Sequence, residues 1–380
     1  QQTHTQRERD THTQLREREA VTMLHLLGLR SCSVWTSRPS VVAHSIRGGA
    51  VVAARCASGG TPSLAEMVKE LRVRTGAPML ECKKALEQSQ GDLDAAVEEL
   101  RKRGVAMAGK KSVRTTSEGL VALRSVQEGR GALIVEVNSE TDFVAKNPDF
   151  VAFTAQVADT MASRNCSVEQ VEGEILQGSS VSVSVAKTDL IAKLGENIQV
   201  RRASILTLSP QWSNSSAVIA TYIHGVAGEG MGKSACAVAL ECKAAGQEEG
   251  LQDIGHKIAM HITAMKPRFL DRNSVPAEVL EKERDILKEQ ARMSGKPEHI
   301  IEKMTEGRLN TFFKEECLLE QEFVLSEKKG ESVAQHLKEL AKTLGGDIVV
   351  REFLKLERGE GIEKNKMDFA DEVAAAASSK

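Results

Sequence analysis

The residues with the clearest chemical potential lie in a glycine-rich stretch, 227–234, which reads Ala-Gly-Glu-Gly-Met-Gly-Lys-Ser. With Gly in place of Ala227 it would spell a phosphate-binding loop, whose backbone amides and lysine hold nucleotide phosphates. Such a loop needs a helix opening at its Lys-Ser and a metal-binding Asp after a second apolar strand. Residues 235–240 instead alternate small and larger apolar side chains, as a strand does. The stretch therefore predicts a hairpin loop, and a nucleotide-binding enzyme stays as an alternative function.

A second candidate lies in the segment 134–148, where an apolar strand ends in a short polar turn that carries Phe143 beside Asp142. Turns normally take Ser, Asn, Asp and Gly for backbone reasons, so an apolar ring next to a carboxylate is unusual there. Two structural explanations compete with a function. Ser139 and Asp142 have the spacing of a helix capping box, and Phe143 could turn inward beside Phe150. Residue types alone favour capping and core packing.

Composition disfavours several classes of function. The 380 residues carry a net charge of -2, with 27% charged and 41% hydrophobic residues, an ordinary globular profile. The weak net charge and the 3% aromatic content disfavour direct binding of nucleic acid. No run of about twenty apolar residues is present, so no membrane span is predicted. The length predicts two or more modules.

The seven cysteines include no Cys-x-x-Cys pair and no nearby histidine cluster at zinc spacing. They are interpreted as reduced thiols, and neither a metal nor another cofactor is expected. Cys82 precedes two lysines, which would lower the pKa of a thiol and make it reactive. A structural, half-buried cysteine is the favoured interpretation.

The first sixty residues have the composition of a targeting segment. Residues 1–22 begin with Gln and repeat a His-Thr-Gln theme, so they are interpreted as a translated leader. No Asp or Glu occurs between Met23 and Ala65, while arginine recurs among Ser, Val and Ala. This composition predicts a transit peptide over 23–60 and favours the mitochondrial matrix. A chloroplast stroma address and a disordered arm are the alternatives.

Residues 61–104 predict a compact three-helix module of the ubiquitin-associated (UBA) type. Apolar residues recur at helical spacing, and the pattern breaks at Gly76-Ala-Pro and at Gly91. Asp92 is placed to cap the third helix. The basic stretch that follows, 105–117, has weak periodicity and is expected to be a linker.

The rest of the chain predicts an α+β fold with two related core subdomains, each a small antiparallel sheet with helices on one face. Two hairpins are expected, and they would pair 119–126 with 131–138 and 217–224 with 234–240. A weak internal repeat aligns Gly, Ile, Val, Arg and Leu of 195–206 with those of 345–356. The expected subdomain boundaries are 118–210 for the first, and 211–273 with 330–365 for the second.

The segment 274–329 predicts an inserted antiparallel helical hairpin. It is dense in charge, with apolar residues at helical spacing and one interruption at 294–297. Its apolar seam is expected to include Leu280, Leu287, Ile300 and Met304. A solvated helix pair without a partner is an equally weighted alternative. Residues 366–380 are expected to form a C-terminal helix or tail.

Three motifs in order resemble the elongation factor Ts family, over roughly residues 64–373. The run Thr-Asp-Phe-Val-Ala-Lys at 141–146 closely resembles the family signature. The block 68–86 is similar to the family's N-terminal domain almost position for position, and Tyr222-Ile-His-Gly matches a family Tyr-x-His-Gly motif. The hairpin also resembles the coiled-coil protrusion of bacterial-type members. The coincidence of these motifs reverses the preference for capping and core packing at Phe143.

The resemblance implies a guanine nucleotide exchange factor for the GTPase elongation factor Tu, active in organellar protein synthesis. Its partner would be the GTPase in its GDP-bound and nucleotide-free states, and it would be no enzyme. The residues expected to disturb the magnesium site of the GTPase are Thr141, Asp142, Phe143 and Val144. The other expected partner contacts are His224, Arg72, Met79, Leu80, Lys83, Asp368 and Phe369.

Structural interpretations of some of these residues, and one further alternative function, stay open. Met79 and Leu80 would fit a module core, and His224 would fit a strand end with a local hydrogen bond. A ubiquitin-binding adaptor, acting through the three-helix module, is a further alternative function.

Overall fold

The structure, a computed structural model, describes residues 62–212, 216–293 and 297–363. The predictions for the leader, the transit peptide and the C-terminal tail lie outside these described residues. All the helices and strands given below lie in one of the two compact units of the chain, Ser63–Lys380.

Three helices open the described chain: α1 (Leu64–Thr75), α2 (Met79–Gln88) and α3 (Leu93–Lys111). Ser63 and Glu66 form a capping box at the start of α1, and the Asp92 carboxylate accepts hydrogen bonds from the first turn of α3. A small apolar core holds the module together, formed by Val68, Leu71, Ala77, Cys82, Ala85, Leu86 and Ala96. The prediction of three helices is confirmed.

The predicted linker is wrong over its first half, because α3 continues to Lys111. Residues 105–111 are mostly Ala, Met and Lys, which are strong helix formers. Tertiary contacts also hold this extension. A Cβ added at Gly104 would lie 3.3 Å from Ala192, and the Lys111 ammonium donates to the Gly195 carbonyl. Packing against a later helix therefore overrides the weak local periodicity.

The first core subdomain follows in the order β1 (Glu118–Val126), β2 (Gly131–Ser139), α4 (Asp142–Ala145), α5 (Pro148–Arg164), α6 (Val168–Val171), α7 (Val183–Leu194) and β3 (Ile198–Thr207). The strands β1 and β2 form the predicted antiparallel hairpin. Helix α5 packs against them and buries the expected apolar face of Phe150, Phe153, Val157 and Met161.

The second core subdomain contains β4 (Ser216–His224), β5 (Met231–Gly232), β6 (Ser234–Cys242), α8 (Glu248–Met265), α9 (Ala277–Arg292), α10 (Glu298–Glu316), α11 (Val333–Leu344) and β7 (Ile348–Glu357). Its sheet has the order β4-β6-β7, and β5 joins the first sheet in the order β3-β2-β1-β5. Both sheets are antiparallel, so the α+β prediction is confirmed. Helix α8 lies so close to β4 that a Cβ on Gly255 would be 2.4 Å from Ala220.

The sequence repeat is a structural repeat. Helices α7 and α11 both end at a glycine in the left-handed conformation, Gly195 and Gly345, and an antiparallel strand follows each. Both strands carry a β-bulge at the repeated arginine, Arg201 in β3 and Arg351 in β7. The two sheets pack face to face through one apolar cluster, which includes Val121, Ile134, Leu206, Ile219, Ala237 and Leu356.

Helices α9 and α10 form the predicted hairpin and pack against each other. Leu287 is buried as expected, and the other expected seam residues, Leu280, Ile300 and Met304, are half-buried. The fully buried residues of α10 are Ile301, Thr305 and Leu309, which the expected seam did not include. The adjacent isoleucines satisfy helical spacing in two ways, and only packing distinguishes them. Among the described residues, no helix is both long and apolar enough for a membrane span.

Candidate functional site

The turn after β2 presents Phe143 to solvent. Thr141 is the residue that caps α4, and the Phe143 side chain that follows is 81% exposed. Val144 and Ala145 point the other way and are buried. Phe143 therefore does not join the core. The capping-box interpretation is also wrong, because the Ser139 hydroxyl donates to the Thr141 carbonyl instead of capping the helix.

A residue distant in sequence holds this turn. The Glu196 carboxylate accepts a hydrogen bond from the Thr141 backbone N–H at 2.9 Å and from its hydroxyl at 2.6 Å. Thr141 in turn accepts a hydrogen bond from the Val144 N–H at 3.4 Å. No sequence motif indicates Glu196 as part of the site. Its only local signal is its position directly after Gly195, where α7 ends.

Asp142 is charged beside the exposed ring. The Lys146 ammonium donates to its carboxylate at 2.6 Å. This hydrogen bond lowers the pKa of Asp142 below its ordinary value, and the nearby Arg358 guanidinium lowers it further. At neutral pH the turn therefore offers an apolar ring next to an ionised carboxylate.

His224 lies at the end of β4 and is exposed. Its ring nitrogen Nδ1 lies 3.4 Å from the Tyr222 hydroxyl, which is a local partner of the kind expected at a strand end. Its carbonyl accepts from the Lys233 N–H at 2.8 Å, and the Lys233 carbonyl accepts from the Arg358 N–H at 3.0 Å. The Arg358 guanidinium also contributes to the lowered pKa of Asp142 in the Phe143 turn.

The glycine-rich stretch 227–234 is a hairpin turn, as predicted. The Ala227 N–H donates to the Met231 carbonyl at 3.0 Å, and β5 then pairs with β1. Strand β6, not a helix, begins at Ser234. The helix N-terminus that a phosphate-binding loop requires is therefore missing at this place, which removes the support for a nucleotide-binding enzyme.

A second exposed apolar surface lies on the three-helix module. Arg72, Met79, Leu80 and Lys83 all line one groove between α1 and α2. Leu80 is 62% exposed and Met79 is 55% exposed, so their interpretation as core residues is wrong. The groove also includes residues that sequence analysis missed, namely Leu64, Ala65, Val68, Lys69 and Val73. Val73 was detectable in principle, since it is an apolar residue between two arginines.

The end of α7 contacts both the three-helix module and the helix that follows the Phe143 turn. Lys193 forms an ion pair with Asp149 at 2.7 Å, just after the Phe143 turn. The Lys193 side chain also packs over Gly76, between α1 and α2, and the neighbouring Gly195 carbonyl accepts from Lys111. The module and the segment after the Phe143 turn therefore both pack against the same helix end.

The remaining candidates from the sequence are the Cys82 thiol, a metal site and the C-terminal residues Asp368 and Phe369. Cys82 is fully buried, and burial raises the pKa of its thiol, so the structural interpretation is confirmed. In the described part of the chain, no cluster of His, Cys, Asp and Glu is arranged to hold a metal. Asp368 and Phe369 lie outside the described residues.

Comparison with known proteins defines the class. The family model described as elongation factor TS matches residues 140–360. Elongation factor Ts of Rhizobium etli (strain CIAT 652) is 46% identical over 312 residues, which are 82% of this chain and 97% of the relative. Elongation factor Ts of Paramagnetospirillum magneticum is 43% identical over 313 residues, 82% of this chain and 96% of the relative.

These matches, with the two-subdomain α+β fold, define a translation elongation factor. The chain belongs to the elongation factor Ts family.

Proposed function

We propose that this protein is a guanine nucleotide exchange factor for elongation factor Tu. The observation that carries the proposal is Phe143, 81% exposed beside an ionised Asp142. A large apolar side chain held in water by a capped turn gains free energy only when a partner buries it. The family signature 141–146 lies at this turn.

The mechanism requires no bond chemistry. A GTPase holds GDP through backbone amides, a lysine and a magnesium ion. A factor that binds the empty state more tightly than the GDP-bound state accelerates release through differential affinity alone. Phe143 inserts between helices of the GTPase near its magnesium site, and Asp142 and His224 disturb the surrounding contacts. Phe143 thus acts as a wedge. Thr141, which caps α4, and the buried Val144 hold this wedge in place.

The groove on the module supplies docking affinity on the same GTPase. It combines exposed Met79 and Leu80 with the cationic rim residues Lys69, Arg72 and Lys83. This pattern suits an apolar partner segment flanked by acidic residues. Asp368 and Phe369 add a C-terminal contact. Docking and nucleotide release are thereby assigned to different parts of the chain.

We also propose an organellar address, with the mitochondrial matrix favoured over the chloroplast stroma. The support is the acid-free, arginine-bearing stretch between Met23 and Ala65. N-terminal sequencing of the protein from isolated organelles is expected to begin near residue 57. An intact Met23 start in that material would contradict the proposal.

The exchange activity is tested by stopped-flow release of fluorescent GDP from elongation factor Tu into excess unlabelled GDP. The release rate is expected to rise with the concentration of this protein and then saturate. A rate that does not depend on its concentration would overturn the proposal. Binding to ubiquitin without binding to the GTPase would favour the adaptor function instead.

A further inference from the structure

We propose that Glu196 is a positioning residue for nucleotide exchange, whose carboxylate fixes the direction in which the Phe143 turn presents its ring. The inference rests on the proposed exchange function and adds a residue outside the turn to it. Glu196 lies 55 residues from Thr141 in sequence, and its carboxylate accepts two hydrogen bonds from that residue.

The two bonds hold both functional parts of the cap. One comes from the Thr141 N–H and fixes the backbone where β2 passes into α4. The other comes from the Thr141 hydroxyl, whose oxygen also accepts from the Val144 N–H and so caps α4. Glu196 therefore orients the Thr141 hydroxyl oxygen that caps α4. Bonds to a carboxylate are stronger than bonds between neutral groups.

Helix α4 needs this support because it has only four residues. A single helical turn is not stable in water by itself, since it fixes several dihedral angles for very few hydrogen bonds. The exposed Phe143 ring adds no packing of its own to hold the turn. Its direction is therefore set by the backbone, and the backbone is held by Glu196 and the buried Val144. A wedge acts best when it is preorganised.

The contact between the segments 140–141 and 196–197, here called the crossing, also supplies a control variant. Glu140 makes the reverse contact, because its carboxylate accepts from the Asn197 N–H at 2.6 Å. Glu140 and Glu196 thus join the same two segments through a carboxylate that accepts from a backbone N–H, in opposite directions, and Glu140 also forms an ion pair with Arg114 at 3.4 Å. Only Glu196 contacts the residue that caps α4. A Glu140→Ala variant loosens the crossing without removing an acceptor from Thr141.

The experiment measures GDP release from elongation factor Tu against concentration, with thermal melting of each variant. Glu196→Ala is expected to lower the maximal release rate on the order of tenfold, since it removes charge-assisted hydrogen bonds to the cap. Its half-saturation concentration is expected to stay within about twofold, because the module groove is untouched. Glu140→Ala is expected to keep the wild-type maximal rate. Equal slowing by both variants would overturn the inference.

A double variant separates positioning from general loosening. If Glu196 acts through the ring, Glu196→Ala combined with Phe143→Ala is expected to be no slower than Phe143→Ala alone. Slowing by the product of the two single effects would overturn the inference.

Two further outcomes keep the test decisive. Should Glu196→Ala melt below the assay temperature, Glu196→Gln replaces it, keeps one acceptor oxygen, and is expected to be slowed several-fold. An unchanged Glu196→Gln rate overturns the inference. If the wild-type protein itself fails to accelerate release, the proposed function fails. If the wild type accelerates release and Glu196→Ala does so equally, only the role of Glu196 fails.

Discussion

Two phenylalanines seven residues apart show how environment assigns a role to one residue type. Phe150 is fully buried in the core of the first subdomain, and Phe143 is 81% exposed. Both follow a helix start, and both are apolar residues in one short segment. The difference arises because α4 turns Val144 and Ala145 inward, which leaves Phe143 on the solvent side.

Replacing these two residues is expected to have opposite effects. Phe143→Ala should change the free energy of unfolding by less than about 0.5 kcal/mol, as exposed substitutions do. It should slow GDP release by at least about tenfold, because a contact that distinguishes the two GTPase states is lost. Phe150→Ala should cost about 3–5 kcal/mol by leaving a cavity. Urea unfolding and stopped-flow release measure both, and an unfolded Phe143→Ala would contradict the wedge.

A buried histidine makes stability depend on pH. His261 is 1% exposed, and its Nδ1 accepts from the Val324 N–H at 3.3 Å while its Nε2 donates to the Gln321 side chain at 2.9 Å. Burial lowers the pKa of His261 below 6.5, because the charged form is poorly solvated there. The folded chain therefore keeps this ring neutral where the unfolded chain already binds a proton.

The sign of the resulting effect follows from proton binding. Below about pH 6.5 the unfolded state binds the extra proton, so the free energy of unfolding falls as pH falls, by at most about 1.4 kcal/mol per pH unit. His261→Gln is expected to reduce this slope, and His256→Gln, at an exposed histidine of the same helix, is expected to keep it. Urea unfolding at pH 7.5 and 5.5 gives the slopes, and equal slopes for both variants would refute the assignment.

At the scale of elements, α1 and α2 leave one apolar face uncovered. Leu64, Val73, Met79 and Leu80 are each more than 40% exposed, and all line the same groove. The opposite faces of the same helices bury Leu71 and Leu86. The helices of the module thus bury one face in their own core and leave the other face available to a partner.

Leu80→Ser is expected to weaken docking on the GTPase without changing the maximal rate of GDP release. The half-saturation concentration should rise on the order of tenfold, which corresponds to about 1.4 kcal/mol of lost apolar contact. The maximal rate should stay within about twofold, because the Phe143 turn is intact. Val105→Ser is the matched control, since Val105 is 64% exposed on α3 and lies outside the groove. Equal weakening by the control would contradict a specific groove.

At the scale of the whole molecule, a buried carboxylate ties the two sheets together. Glu136 of β2 is fully buried and accepts hydrogen bonds from Arg201, Arg202 and the Gly359 N–H. Gly359 follows β7 of the other sheet. Arg202 also donates to the Glu357 carbonyl at the end of β7. The bulge at Arg201 allows two successive arginines to reach the same carboxylate.

Glu136→Ala is expected to cost about 3–5 kcal/mol, because it removes the buried carboxylate that Arg201 and Arg202 share, although Arg202 keeps its ion pair with Glu360. Glu352→Ala, an exposed glutamate on β7, is expected to change stability by less than about 0.5 kcal/mol. The free energy of unfolding in urea measures both. A Glu136→Ala protein as stable as the Glu352→Ala protein would show that the sheets do not depend on this joint.

Several features were predictable from sequence because they depend on near neighbours. The three module helices, both hairpins, the buried face of α5 and the repeat of 195–206 in 345–356 all follow from periodicity and from Gly, Pro and Asp at chain breaks. The hairpin nature of 227–234 followed from the alternation of the residues after it. The family motifs, including Phe143 and His224, are likewise visible in short runs of sequence.

Tertiary structure alone decided the features that depend on distant partners. The end of α3, the seam at Ile301 and the direction of Phe143 each had two local solutions of similar quality. Contact with α7, packing against α9, and the carboxylate of Glu196 selected one solution in each case. Local patterns are set by residues within about one helical turn, whereas a choice between equivalent faces is made by what the fold places opposite them.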